Sequence, residues 1–175
     1  LAGTRSFTFN RFQHMLDFSG FDLNSKFELN NIEFLCNGVA SCINLAKTGS
    51  VFRVFNCTIN RPKDKGITSI GRGCQDMQLD NNQFISNEQS LRVQDRISTA
   101  FNANANDLKV RNNRASRFGT FAVMAGTTNI LSGNHFFGGD DEVVGVRRAG
   151  LILTLPNAAT FLTGNYIDNC FVELT

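Results

Sequence analysis

The sequence lacks the features that mark several large protein classes. Its apolar runs, such as residues 151–153, fall far short of the roughly 18 to 20 residues of a membrane-spanning helix, so we expect no membrane insertion. The formal net charge is only +2, whereas general binding to nucleic acid or anionic lipid depends on concentrated Lys and Arg residues, so we expect neither. The five cysteines include no Cys-x-x-Cys pair, which excludes a zinc ribbon, and their odd number argues against a small disulfide scaffold.

The cysteines and the two ends of the chain lead to further expectations. Buried free thiols are the default for Cys36, Cys42 and the others, although Cys36 and Cys42 could form a disulfide in an oxidising compartment. The sequence opens without an initiator methionine or a signal-peptide pattern, and residues 171–175 are typical of a strand interior. We therefore expect this sequence to be a piece of a longer protein.

Helical periodicity is also missing, and a different repeat takes its place. No 3.6-residue apolar pattern is sustained, and the fixed leucine spacing of leucine-rich repeats is absent. Instead, a hexamer of the form apolar, any, Asn or Gly, Asn, any, apolar recurs with some variation, at starting intervals of 21 to 31 residues. Its copies are residues 7–12, 29–34, 54–59, 79–84, 110–115, 131–136 and 162–167.

This repeat predicts an all-β fold, a right-handed parallel β-helix of about seven coils that spans residues 1–175. Between most copies lies a second apolar stretch, bounded by polar or glycine-containing turns, which is the signature of short strands. Two or three strands per repeat of about 25 residues match one coil of a β-helix. The longer interval around residues 137–160 predicts an extra loop or lobe, and long loops on such folds commonly carry function.

Stacked coils would place equivalent hexamer positions in ladders roughly 4.8 Å apart. We expect the first and sixth positions to face the core. The fourth-position asparagines are expected to sit at bends, tolerate the left-handed backbone conformation and exchange amide hydrogen bonds with one another. Much of the count of 21 asparagines is thereby interpreted as structural rather than catalytic.

The repeated units Leu-x-Gly-Asn-x-Phe and Val-x-Asn-Asn-x-Ala resemble the pectate-lyase-like superfamily of right-handed parallel β-helices. The likeness is closer to bacterial proteins related to polygalacturonases and to phage tailspikes, and it covers roughly residues 5 to 175 through scaffold features. It implies a protein of the extracellular space, cell surface or virion that binds, and often cleaves, acidic or bacterial-surface polysaccharide. Tailspikes are trimers, so the likeness also implies a homo-oligomer. Of the catalytic motifs of polygalacturonases, only Asp140-Asp141 has a partial counterpart here.

The outward fifth position supplies one candidate catalytic set. Its last three members are Arg114, His135 and Tyr166, which stacking would make neighbours. An Arg that neutralises a uronate carboxylate, beside a His and a Tyr able to move protons, suits β-elimination in acidic polysaccharides. The alternative is that three solvated polar residues fall on one turn.

Acidic loop residues supply a second candidate set. A glycoside hydrolase needs two carboxylates about 5 to 9.5 Å apart. Glu88, Asp140 and Asp141 follow the hexamer at similar distances, and parallel loops would bring Glu88 and Asp140 within roughly 10 Å. Solvated loop acids are the alternative. The same acids could bind Ca²⁺ through oxygen ligands, but no regular ligand spacing supports such a site, so we expect no metal site or other cofactor.

Arginines in the loops are candidate substrate-binding residues, because their planar fork grips carboxylates. The candidates are Arg92, Arg96, Arg111, Arg117, Arg147 and Arg148. Glycan sites also use exposed aromatic rings, yet the chain has no Trp and a single Tyr. The sequence thus leaves three functions open: cleavage of a polysaccharide, glycan attachment without catalysis, and a structural shaft for assembly.

Overall fold

A computed structural model describes residues 13–18, 26–37, 41–45, 51–69, 75–86, 88, 96–138, 148–154, 159–168 and 170–175. Within these ranges the chain is all-β: strands alternate with short bends, and there is no helix. All of the strand pairings there are parallel. The predicted all-β class and parallel pairing are therefore confirmed.

The strands fall into three ladders that follow from the hexamer. Ladder 1 contains the strands that end on its second position: β2 (Lys26–Asn30), β5 (Val51–Phe55), β8 (Asp76–Asp80), the second half of β10 (Thr99–Arg111), the second half of β12 (Thr120–Ser132) and β15 (Ala159–Thr163). Ladder 2 contains the strands that begin on its fifth position: β3 (Glu33–Leu35), β6 (Thr58–Asn60), β9 (Gln83–Ile85), β11 (Arg114–Ser116), β13 (His135–Phe137) and β16 (Tyr166–Asp168).

Ladder 3 comes from the apolar stretches between hexamers. It contains β1 (His14–Asp17), β4 (Ser41–Asn44), β7 (Lys65–Thr68), the first halves of β10 and β12, β14 (Arg148–Thr154) and β17 (Cys170–Leu174). Because β10 and β12 run through ladders 3 and 1, these two ladders form one 11-stranded sheet, while ladder 2 is a separate 6-stranded sheet. The chain thus visits ladders 1, 2 and 3 in turn, and each strand pairs with its counterpart in the next pass.

The core lies where the first and sixth hexamer positions point. First-position Val54, Leu79 and Val110 are fully buried, as are sixth-position Ile59 and Phe84. The predicted inward direction is confirmed for these positions, and each large side chain buried this way contributes about 1.5–3 kcal/mol. The first-position Leu162 is 47% exposed because its strand, β15, is paired on one side only among the described residues.

Two neighbouring hexamer positions form the bend between ladders 1 and 2: the third has the left-handed backbone conformation, and the fourth supplies the hydrogen bonds. The left-handed conformation belongs to the third position, where φ lies between 53° and 64° in six copies: Asn31, Asn56, Asn81, Asn112, Gly133 and Gly164. Our assignment of that conformation to the fourth position was wrong. Asn and Gly are the residues that adopt it at least cost, so the third position needs them for the backbone.

The fourth position instead forms a buried amide ladder, as predicted. Asn113 is fully buried and its Oδ1 accepts the backbone N–H and the Nδ2 of Asn82, both at 2.9 Å. Its Nδ2 donates to the Leu79 carbonyl at 2.7 Å and to Oδ1 of Asn134 at 3.1 Å. Asn134 and Asn165 repeat this pattern, with distances of 2.8 to 3.1 Å. Each amide therefore satisfies backbone groups at the bend of the preceding hexamer.

Cys57 takes the place of asparagine at one end of this amide ladder. Its thiol donates to the Leu29 carbonyl at 3.6 Å. In the next hexamer the equivalent bond runs from Nδ2 of Asn82 to the Val54 carbonyl at 2.8 Å. The thiol also contacts the Phe55 carbonyl at 3.3 Å. A weak sulfur donor thus reproduces part of the asparagine pattern.

The cysteines are free thiols in the described part of the chain, and Cys36, Cys42 and Cys57 are buried. Cys36 and Cys42 hydrogen-bond each other through their side chains. This bond lowers the pKa of Cys36, whereas the same bond, together with burial, raises the pKa of Cys42. The disulfide that we left open does not form in this structure.

Two expected segments lie partly outside the described residues. Within 137–160, residues 148–154 form β14, a regular member of ladder 3 that pairs with β12 and β17. Residues 139–147 and 155–158 lie outside the described ranges, as does the apolar stretch at 91–93.

Candidate functional site

The outward face of ladder 2 carries the fifth-position side chains in one row. Strand register places Thr58 opposite Gln83, Gln83 opposite Arg114, Arg114 opposite His135 and His135 opposite Tyr166. Adjacent strands are roughly 4.8 Å apart, so Arg114 and Tyr166, which are two strands apart, are separated by roughly 10 Å. We call this row, with Glu33 at its other end, the fifth-position row.

A polar groove of about 390 Å³ lies beside this row. Its lining consists of Asn56, Cys57, Thr58, Asn81, Asn82, Gln83, Asn112 and Arg114. The third-position amides form one side of the groove and are held in fixed directions, since Nδ2 of Asn81 donates to Oδ1 of Asn56 at 2.7 Å. The groove therefore presents preorganised amides, a hydroxyl and one guanidinium to solvent.

Arg114 supplies the positive charge of the groove. Its side chain is exposed and forms no ion pair or hydrogen bond with any described residue. The neighbouring rings of His135 and Tyr166 meet edge to face, with centroids 5.0 Å apart and an interplanar angle of 72°. Tyr166 is 61% exposed. The three residues are thus brought together on an open face, as stacking predicted, with the guanidinium free to bind an anion.

A second outward row on ladder 2 was missed by the sequence analysis. It lies two residues further along each strand and includes Ser116, Phe137 and Asp168, which strand register places side by side. All three are partly exposed. The alternation of side chains along a strand could have identified them, since they share the face of Arg114, His135 and Tyr166. Phe137 adds partly exposed aromatic surface to this face.

The predicted arginine set is dispersed. Arg111 pairs with both carboxylate oxygens of Asp80, at 2.8 and 2.5 Å, and this hydrogen bonding raises the pKa of Arg111. Arg96 is only 3% exposed and donates to the Gly138 carbonyl, so it does not belong to an outward stripe. Arg117 lies at the far end of β11 in the left-handed conformation.

Five further candidates lie at the limits of the described ranges or outside them. Arg148 begins β14, of which the backbone alone is described at this residue. Residues Arg92, Arg147, Asp140 and Asp141 lie outside the described ranges.

Glu88 is buried and engaged in a local network. It is 6% exposed, and its carboxylate accepts the backbone N–H groups of Ile97 and Ser98, at 3.0 and 2.9 Å, as well as the Ser98 hydroxyl. The Ser86 hydroxyl accepts the backbone N–H of Glu88 at 3.0 Å. A carboxylate held by three donors ties Glu88 to residues 97 and 98. This environment favours a structural role for Glu88.

In the part of the chain that the structure describes, no three His, Cys, Asp or Glu side chains are grouped as metal ligands, and no helix has the length and apolarity of a membrane span. Comparison with protein-family models, with curated proteins and with solved structures finds no match to this chain.

Proposed function

We propose that the chain winds as a right-handed parallel β-helix and that ladder 2 presents a binding surface for polysaccharide. The repeated order of ladders 1, 2 and 3 supports the winding, because each return to a ladder adds a parallel strand in register. Parallel crossover connections are right-handed in about 98% of cases, which supports the hand. The hexamer's likeness to pectate-lyase-like proteins supports the same proposal and an extracellular or virion-associated setting.

The observation that carries the binding proposal is the groove with its unpaired Arg114. Sugar hydroxyl groups are donors and acceptors, and they suit the amides of Asn56, Asn81 and Gln83. A carboxylate on the glycan suits a guanidinium that has no ion-pair partner among the described residues. The exposed ring of Tyr166 and the partly exposed ring of Phe137 offer apolar surface to a sugar ring.

A glycan array tests this proposal. The wild-type chain should bind one or more glycans that contain an acidic sugar, and Arg114→Ala should weaken that binding by about tenfold or more, the effect of losing one charge-assisted pair. Arg111→Ala is the matched control: it removes an exposed arginine that Asp80 already neutralises, so binding should persist. A blank array, or equal losses for both variants, contradicts the proposal.

Cleavage by β-elimination is the second candidate function, favoured by the contiguity of Arg114, His135 and Tyr166. In such a step a base removes the proton next to the uronate carboxylate, a carbon–carbon double bond forms, and the bond to the departing sugar oxygen breaks as that oxygen is protonated. Arg114 would stabilise the charge that develops on the carboxylate, while His135 and Tyr166 would move the protons.

Unsaturated products absorb ultraviolet light, so a continuous absorbance assay with uronate polymers measures this activity. Tyr166→Phe retains the ring against His135 and should abolish the signal, whereas Arg111→Ala should retain it. Absence of a signal with every polymer that the array identifies as a ligand excludes cleavage and leaves attachment.

A further inference from the structure

The fifth-position row carries unevenly distributed charge. From one end to the other it reads Glu33, Thr58, Gln83, Arg114, His135 and Tyr166. A single guanidinium thus follows two neutral side chains, and the carboxylate of Glu33 lies three strands, or roughly 14 Å, from it. At physiological salt the Debye length is about 8 Å, so each charge acts mainly on the sugar that contacts it.

Three cations of the neighbouring ladder 1 are paired with carboxylates. On ladder 1, Arg111 is paired with Asp80 and Lys109 with Asp76 at 3.3 Å, while Arg53 lies 3.9 Å from Glu28. Arg117 lies three residues beyond Arg114 at the opposite end of β11, roughly 10 Å along the strand. Among the residues that the structure describes, Arg114 is therefore the one unpaired cation that lines the groove.

Neutral hydrogen-bonding groups occupy the rest of the groove. Asn56 and Asn81 are joined amide to amide, and Thr58 and Gln83 lie beside them on the row. Amide oxygens accept hydrogen bonds from sugar hydroxyl or acetamido N–H groups, but they face a carboxylate unfavourably. A polymer with a carboxylate on every sugar would leave several carboxylates without a cation and would place one near Glu33, where like charges repel.

We propose that the ligand is a heteroglycan in which one anionic sugar is flanked by neutral sugars, rather than a homopolymer of uronic acid. The anionic sugar binds Arg114, the neutral sugars extend over Gln83 and Thr58, and the ring of Tyr166 bounds the other side. This inference rests on the proposed function, since it defines the class of polysaccharide that the same groove selects. The selection comes from having a single cation among neutral amides.

The test compares three glycans of similar length by titration calorimetry with the full 175-residue chain. The first is a heteroglycan with one uronate in each repeat of three or four sugars, the second is the same glycan with its carboxyl groups reduced to alcohols, and the third is a homopolyuronate. We expect the heteroglycan to bind about tenfold or more tightly than either of the others, as the loss of one charge-assisted pair predicts.

Three variants, one of them a control, test whether the fifth-position row carries this preference. Arg114→Gln should reduce heteroglycan affinity to that of the carboxyl-reduced glycan. Arg53→Gln is the control: Arg53 lies on ladder 1 near Glu28 and does not line the groove, so affinity should stay unchanged. Glu33→Gln should strengthen homopolyuronate binding and leave heteroglycan binding as it was. Each residue is exposed or partly exposed, so circular dichroism spectra should stay unchanged.

Two outcomes overturn the inference and are distinguishable from each other. Homopolyuronate binding as tight as that of the heteroglycan, or equal binding of the reduced glycan, refutes the charge argument and leaves the proposed function intact. Binding of none of the three, together with a blank array, refutes the proposed function and the inference with it.

Discussion

Removal of one rung from the middle of the buried amide ladder should destabilise the protein strongly. Asn113→Ala deprives the backbone N–H of Asn82 and the carbonyl of Leu79 of hydrogen bonds of 2.9 and 2.7 Å. Asn113 is completely buried, so water does not replace these bonds without rearrangement. A buried polar group left unpaired costs about 1–3 kcal/mol, so the two together predict a loss of about 2–6 kcal/mol.

Equilibrium urea unfolding followed by circular dichroism measures this loss as a lower midpoint at constant slope. Asn165→Ala is the matched control: it breaks the equivalent bonds to Asn134 and Leu131, but Asn165 is partly exposed and water can occupy the gap. Its cost should be about 1 kcal/mol. A stability of Asn113→Ala within about 0.5 kcal/mol of wild type would refute the reasoning, because that is the range of ordinary surface substitutions.

Three further predictions follow from the bends and the thiols. Cys57→Asn should raise stability by about 1 kcal/mol, because a full amide replaces a thiol donor 3.6 Å from the Leu29 carbonyl; a lower urea midpoint contradicts this. Gly133→Ala should lower the free energy of unfolding by about 1–2 kcal/mol, since the φ of Gly133 is +64° and the new Cβ would lie 2.5 Å from Oδ1 of Asn112. Gly133→Asn should lower it less. Thermal unfolding that ranks the two variants in the reverse order contradicts this account. Burial, and to a smaller extent the charge of Asp168, raise the pKa of Cys170 from 9.0 to about 11. The rate of alkylation of Cys170 by iodoacetamide should therefore increase up to about pH 11, and alkylation that levels off near pH 9 contradicts the shift. The contribution of this thiol to stability should be complete below pH 9.0 and be lost as the pH rises through about 11.

The parallel strands and the asparagine ladder could be predicted from the sequence because the hexamer repeats one chemical pattern at one position. The same pattern also contained the signal for the left-handed residue. Six of the seven third positions are Asn or Gly. Glycine occurs at the third position, as Gly133 and Gly164, but in no copy at the fourth position. Glycine marks positive φ more directly than asparagine does, so the third position was the better prediction.

The candidate site was predictable only in part. Stacking of equivalent positions places Arg114, His135 and Tyr166 together, because strand register depends on local pattern. The same reasoning applied to the second position would have paired Asp80 with Arg111.

The burial of Glu88 and Arg96 was beyond this reasoning. Glu88 binds the backbone of Ile97 and Ser98, and Arg96 binds the Gly138 carbonyl. None of these residues occupies a position of the repeated hexamer.

The position of a bound glycan on the molecule tests the central claim most directly. Backbone resonances of the isotope-labelled chain should be recorded while the glycan that binds best is added. We predict that the shifts concentrate at Thr58, Gln83, Arg114, His135 and Tyr166, on the outward face of ladder 2. Shifts concentrated on the outward faces of ladder 1 or ladder 3, with this row unchanged, would contradict the account.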